Sequence, residues 1–535
     1  SAIQVQWTAN QEPDLAGYRL ERGVNSTSSF SALASPTGTT HSDTSVLAGN
    51  SYSYRVRAVD TAGNVSNPSA VVTVAVPLPD PTPSGSLNVL TFGANPAPGG
   101  DDTNAIQAAF NAAVTQKKDV YLPAGHYQLS KGLVFKASGR TIYGDGMDKT
   151  IIAGNTSSFN LIQLDRTDDV TVRDLRLEGS HVNTSDTANT GKAVECYNTR
   201  RTRLLRLYSY GTGYIAFDNG GTDTTLEDSV CEDYGRIGYL INDGGTVRRC
   251  RFQNRDGWRM TSEMQGIYAA AGRDNILIED CEFINAGIYA IQLWGSQNGV
   301  YTENITIQRN TFVRCPRVLV CAAGGSGPIY RNIRFLGNTI RGTQEKSLHI
   351  GKFNGSTTNG TELLIEGNVF EDAGPGFGIY LTPWGDAPLQ GIRIRNNEFR
   401  APNRSSYNGF VHVAGAKDVV IEGNSFSGIG HDGAQEIVSE GIHLKSGSNI
   451  RIHDNVFEHW SGAGVSRVVN ALRFETGTSN VTIERNEFYG NGRTNCYGLN
   501  VQGGASAVHG SVKNCLFRKA KFNPSGLPNS GNVVE

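Results

Sequence analysis

No stretch of this 535-residue chain approaches the roughly 18 consecutive apolar residues of a membrane-spanning helix, so no membrane partner is expected. Charge of one sign is equally scarce. The 48 Lys and Arg nearly balance the 50 Asp and Glu, and a net charge of −2 gives no reason to expect nucleic acid. The Ala, Glu, Lys and Leu bias of helix-rich chains is missing, and 64 glycines stand in its place. Ser1 opens directly onto strand-like sequence, so no signal peptide is expected within this chain. The expectation is a trimmed, secreted, extracellular protein.

What is present is a phrase that returns from Cys250 to Phe517: VRRCRF, IEDCEF, IQRNTF, FLGNTI, IEGNVF, IRNNEF, IEGNSF, IHDNVF, IERNEF and VKNCLF. Its anchors are Cys250, Cys281, Asn310, Asn338, Asn368, Asn397, Asn424, Asn455, Asn486 and Cys515, spaced roughly 30 residues apart as in stacked repeats. An apolar residue precedes each anchor by three and another usually follows by two. That pattern suits a strand, a bend and a second strand, not a helix. An Asn at the bend can donate its amide to the next copy about 4.8 Å away, which predicts a column of paired side chains. Before most anchors comes strict alternation, as in GIYAAAG, AIQLWG, GIYLTPWG, GIHLKSG, ALRFETG and GLNVQGG. It marks a third strand with one face in a core. Of the eight Cys, three replace Asn at anchors and Cys196 falls at an inward position, so they read as small buried thiols.

The phrase and its ladder resemble those of the pectate-lyase-like proteins. The resemblance implies an all-β fold: a right-handed parallel β-helix with an Asn ladder. LNVLTFGANPAPGGDDTNAIQAAFNAAVTQKKDVYLPAGHYQLS resembles the opening of pectate-lyase-3 type β-helices found in polysaccharide-active enzymes and phage tailspikes. Within it, Asp102 is expected to cap a helix whose Ile106, Ala109, Phe110, Ala113 and Val114 form one apolar stripe. That helix would plug the open end of the first coil. Residues 1–76, with Trp7, LAGYRLERG and SYSYRVRAVDTAGNVSNPS, resemble a small fibronectin type III β-sandwich lacking its usual first strand. The row Tyr52, Tyr54, Val56 and Ala58 would face its inside. Residues 77–86 form a Pro-rich linker, and 87–535 the β-helix.

The resemblance implies that a sugar chain lies along the first sheet, built from the alternating strands. Its outward row reads Gln163 and Asp165, Glu195 and Tyr197, Asp218, then Asn242 or Asp243, where the register is uncertain by one. Tyr268, Gln292 and Trp294 follow, then His349 with Lys352, Tyr380 with Trp384, and His412. The row ends with His443 and Lys445, Arg473 and Glu475, and Asn500 and Gln502. The loop NRDGWRMTSEMQ adds Trp258, Arg259 and Glu263. The row is acidic at one end, aromatic in the middle and basic beyond, and aromatics outside a core usually serve contact.

An endo-acting glycoside hydrolase on an acidic exopolysaccharide is the first reading. Asp218 and Asp243, with Glu195 and Tyr268, would be catalytic, since stacked carboxylates repel and one becomes a general acid. Trp258, Arg259, Gln292, Trp294, His349, Lys352, Tyr380, Trp384, His412, His443, Lys445 and Arg473 would bind substrate. The N-T-D, G-H-G and R-I-K motifs of polygalacturonases are absent, and so is the D-P-H-D signature of alginate C5-epimerases. The alternative is a β-elimination lyase drawing its base and cations from His349, Lys352, His412, His443, Lys445 and Arg473. No cofactor or metal ligand set is assigned, and Ca²⁺ enters only under the lyase reading, at the acid cluster. A non-catalytic glycan-binding adhesin is the third. The expected state is a monomer or, as among tailspikes, a homotrimer.

Overall fold

The computed structural model describes residues 2–46, 50–76, 85–97, 99–156, 158–180, 191–256, 263–323, 327–371, 376–385, 388–400, 409–428, 440–458, 469–475, 477–490, 496–502, 510–525 and 527–535. The chain divides into two compact units, Ser1–Gly85 and Ser86–Glu535. The linker residues 77–84 lie outside the described residues.

In the first unit Ile3–Gln6 pairs antiparallel with Thr40–Asp43, and a four-stranded antiparallel sheet is centred on Leu15–Val24 and Ser51–Asp60. Both sheets contribute to one core of Leu20, Val46, Tyr52 and Tyr54, with Trp7 edge-on to Tyr18 at 5.4 Å. Of the expected inward row, Tyr52 and Tyr54 are buried while Val56 and Ala58 are half-buried.

Every strand pairing between coils of the second unit is parallel. One strand per coil joins a 15-stranded sheet, the first sheet, and the others build a second sheet that folds around the bend. The fold is the right-handed parallel β-helix. At the bend, the residue before each anchor takes a positive φ: Arg249, Asp280, Arg309, Asn396, Asp454, Arg485 and Asn514 at 51–58°, and Gly337, Gly367 and Gly423 at 58–65°. This left-handed residue turns the chain sharply, and Gly, Asn or Asp there lowers the strain.

The anchor that follows is locked from both sides. Asn310 Nδ2 donates to the Ile278 carbonyl of the coil before and to Asn338 Oδ1 of the coil after. The same bonds repeat through Asn368, Asn397, Asn424 and Asn455 to Asn486. Cys281 joins through its N–H to Asn310 Oδ1, and at the far end the Cys515 N–H donates to Asn532. Two residues beyond the anchors, phenylalanines stack inside the helix. Phe252, Phe283 and Phe312 follow at 5.0 and 4.8 Å, and Phe370, Phe399, Phe426, Phe457, Phe488 and Phe517 at 4.7–4.9 Å. All eight Cys are buried free thiols.

Because Asn397 is 2% exposed and fully bonded, Asn397→Ala is expected to cost about 1–3 kcal/mol by orphaning the groups of Asn368 and Ile365. Urea unfolding at equal m-value checks it, and an unchanged midpoint contradicts the ladder's contribution.

The plug is the helix Thr103–Gln116, which buries Ile106, Ala109, Phe110 and Ala113. Two details differ from the sequence expectation. Val114 is exposed, because it falls one position off the stripe. Asp102 stands at the N-cap position but makes no side-chain cap, since its carboxylate accepts from the Asn95 and Gln128 N–H groups and so ties the helix to the first coil. Asp101 instead accepts from the Thr103 N–H.

Candidate functional site

Strand register fixes the outward row of the first sheet. It runs Gln163, Glu195, Asp218, Leu240, Tyr268, Gln292, Val320, His349, Tyr380, His412, His443, Arg473 and Asn500. Leu240, not Asn242 or Asp243, stands beside Asp218. Asp243 falls in the turn after the strand, where it accepts from the Asp274 N–H and faces Arg273 at 3.8 Å. The expected pairing of Asp218 with Asp243 is therefore not formed on the sheet.

At the acid end a lysine that the sequence pattern does not single out organises the carboxylates. Lys192 Nζ lies 2.5 Å from both Glu195 and Asp218, and Asn160 donates to Glu195 at 2.8 Å. Burial raises the Asp218 carboxyl above its ordinary range, with Lys192 opposing. Asp165 is paired with Lys136 and Arg166. Each of these acids is thus held by a cation. Among the described residues no three His, Cys, Asp or Glu side chains gather as a metal site.

In the middle, Tyr268 donates to the Trp294 carbonyl at 3.3 Å, and burial raises its phenol, which makes it a poor base. Gln292 is 7% exposed and accepts from Gln265, so it offers substrate little surface. Trp258 and Arg259 lie outside the described residues. Trp294, His349 and Trp384 form a corner. Trp384, 48% exposed, stands edge-on to Trp294 at 5.5 Å and stacks on His349 at 5.9 Å. It also closes over Gly351, where a side chain's first carbon would come within 3.3 Å of the Trp384 Cβ. Lys352 is buried, and burial lowers its ammonium.

Beyond the corner opens a cavity of about 520 Å³ lined by Lys346, Phe377, Tyr380, His412, Glu440, His443, Lys445, Arg473 and Glu475. His412 stacks on Tyr380 (4.8 Å, 11°), contacts Phe377 at 4.7 Å and meets His443 edge-on at 4.8 Å. Burial lowers its pKa to about 4, helped by the neighbouring His443, and its Nδ1 has no hydrogen-bond partner among the described residues. Burial likewise lowers His349 to about 4. Both imidazoles are thus neutral bases at neutral pH.

The cations of this end divide into two kinds. Arg473 is neutralised within the protein, and both nitrogens of His443 are occupied by carboxylates. His443 faces Glu440 at 2.8 Å and Glu475 at 3.0 Å, and Arg473 pairs with both carboxylates. Their expected role as free substrate-binding charges changes accordingly. Lys445 and Lys346 make no ion pair among the described residues, and Lys346 Nζ sits 3.9 Å over the Tyr380 ring. Sequence reasoning missed Lys346, Phe377 and Glu440, which precede the alternating strand or begin it.

Residues 86–344 match the family model of rhamnogalacturonase A/epimerase, pectate lyase-like, and residues 356–522 that of the right-handed β-helix region. Alginate lyase 7 of Azotobacter vinelandii is 31% identical over 181 residues, 29% of this chain and 20% of that protein. Exoglucanase B of Cellulomonas fimi is 29% identical over 166 residues, 29% of this chain and 14% of that protein. The chain thus spans a fifth or less of the length of these curated relatives. The structure of a family 28 exopolygalacturonase of Yersinia enterocolitica aligns over 90% of this chain and 96% of its own, at 14% identity and a TM-score of 0.46. Strand register, the Asn column and the match to the right-handed β-helix region agree that the second unit is a right-handed parallel β-helix, and part of it resembles the pectate-lyase-like model.

Proposed function

We propose that the second unit is a polysaccharide-active enzyme that cleaves an acidic glycan by β-elimination at the cavity around His412. The observation that carries this reading is a neutral, buried imidazole flanked by two ammonium groups that no carboxylate among the described residues neutralises. A uronate carboxylate placed between Lys346 and Lys445 loses its repulsion toward the electrons released at C5. His412 then takes the C5 proton, the electron pair forms the C4–C5 double bond, and the C4–O4 bond breaks. The Tyr380 phenol, whose ring stacks on His412, would protonate the leaving oxygen. Glu440, although burial opposes it, is held ionised by His443 and Arg473, so it does not serve as the protonated acid that hydrolysis needs. The partial match to a protein named alginate lyase supports the same reaction class.

One observation favours the hydrolase as second reading: the raised carboxyl of Asp218 beside Glu195. Incubation with acidic and neutral polysaccharides, with and without chelator, separates the two. Elimination gives an unsaturated uronate with new ultraviolet absorbance, whereas hydrolysis gives reducing ends without it. Binding without either product supports an adhesin. Binding of the acidic substrate is expected to weaken as salt rises, since exposed charge is screened beyond roughly 10 Å at 0.1 M. Salt-independent affinity contradicts the roles of Lys346 and Lys445. We also propose that the protein is secreted, as a monomer or trimer, and that the first unit is a fibronectin type III-like spacer.

A further inference from the structure

We propose that Glu440, Glu475 and Arg473 close a ring around His443 that holds its imidazole, with a carboxylate at each nitrogen, against His412 and so sets the proton affinity of the base. In this role Glu440 and His443 are positioning residues. The inference rests on His412 acting as the base in the proposed elimination.

The ring closes through four contacts. Glu440 meets His443 Nδ1 at 2.8 Å, His443 Nε2 meets Glu475 at 3.0 Å, Glu475 meets Arg473 at 2.9 Å, and Arg473 returns to Glu440. An ionised carboxylate only accepts hydrogen bonds, so a ring with a carboxylate at each nitrogen is matched to the imidazole carrying both protons. Glu440 is 4% exposed. Two carboxylates in a cavity that takes an anionic sugar would repel it if they faced it alone. Tied to His443 and Arg473, they instead hold these cations in place, and substrate is left to Lys346 and Lys445.

Among the described residues, the groups facing His412 are Tyr380 and Phe377 from the coil before, and Lys346 over Tyr380. His443, Glu440 and Lys445 face it from the coil after, and Arg473 and Glu475 from the next. The cation of His443 disfavours a second proton on His412, and the anion of Glu440 favours it. The two residues therefore act on His412 with opposite signs, which packing alone would not produce.

The test is an NMR titration of His412 in the full chain labelled at histidine, assigned with His412→Gln, alongside kcat/KM against pH on an acidic polysaccharide. His443→Gln is expected to move the His412 midpoint up by about one pH unit, and Glu440→Gln to move it down by a similar amount. His443→Lys, which keeps the charge, is expected to restore the wild-type midpoint. If Glu440→Gln does not fold, the His443→Gln and His443→Lys pair decides. Midpoints that stay put, or move the same way in both neutral variants, overturn the ring's role. Midpoints that move as expected without any unsaturated product leave the ring standing and remove the elimination reading. Elimination with unmoved midpoints does the reverse.

Discussion

His412→Gln is expected to lower the turnover of an acidic glycan by roughly 10²–10⁴-fold, the scale of losing a positioned base. Glutamine keeps much of the side chain's volume and polarity, so the fold should lose only the aromatic contacts to Tyr380 and Phe377, about 1 kcal/mol. The pH profile carries the same signature. His412 is the neutral base above about pH 4, so kcat/KM should fall as pH drops through that value. Stability follows with a definite sign. The folded midpoints of His412 and His349, both near 4, lie below the ordinary 6.5, so the unfolded chain binds more protons between these values. The stabilisation is complete above about 6.5 and is lost as pH falls through about 4. A His412→Gln variant with full elimination activity would move the reaction away from this cavity.

The coil was legible because its determinants repeat. A bend that needs a positive φ, an anchor that bonds two neighbours and a Phe that stacks on its copies each recur at one spacing, so every repeat reports the same geometry. The helix plug was legible from a single stripe, and it failed only at Val114, on the boundary of that stripe, and at Asp102, whose carboxylate found backbone N–H groups outside the helix. The site was legible as a row but not as a set of contacts. Alternation placed His349, Tyr380, His412, His443 and Arg473 on one face, and the register confirms that order. It misled at Asp243, because the strand ends at Ile241 and the row position falls to Leu240, three residues earlier. Charge partners were illegible for a different reason. Lys192, Lys346 and Glu440 lie at strand entrances, where no period marks them, and each has a partner some 26–34 residues away in sequence on the next coil. A row that reads as acidic or basic in one dimension is thus partly neutral in three.

Lys192→Met is the variant with the largest expected effect on stability, about 3–5 kcal/mol near pH 8, the cost of breaking a buried ion pair from one side. Lys192 bridges Glu195 and Asp218, whose side chains are only 15% and 13% exposed. Glu195 would keep its bond from Asn160, but no other partner of the Asp218 carboxylate is seen among the described residues. With the cation gone, Asp218 escapes by taking up a proton, since burial already raises it against Lys192. A carboxyl whose folded pKa exceeds its unfolded value favours the folded state below the unfolded pKa and loses that contribution as pH rises through the folded one. The deficit of Lys192→Met should therefore shrink on acidification, and Asp218→Asn in the same chain should recover much of it at pH 8. Urea unfolding at pH 5 and pH 8 measures both, and a deficit equal at the two values would contradict a buried, cation-held carboxylate. Seven strand spacings of about 4.8 Å, roughly 34 Å, separate Asp218 from His412 along the sheet. Elimination at His412 should then persist in the folded fraction of Lys192→Met. If Asp218 is instead the acid of a hydrolase, the same variant raises that acid's pKa and extends cleavage to higher pH, so one substitution separates a structural acid end from a catalytic one.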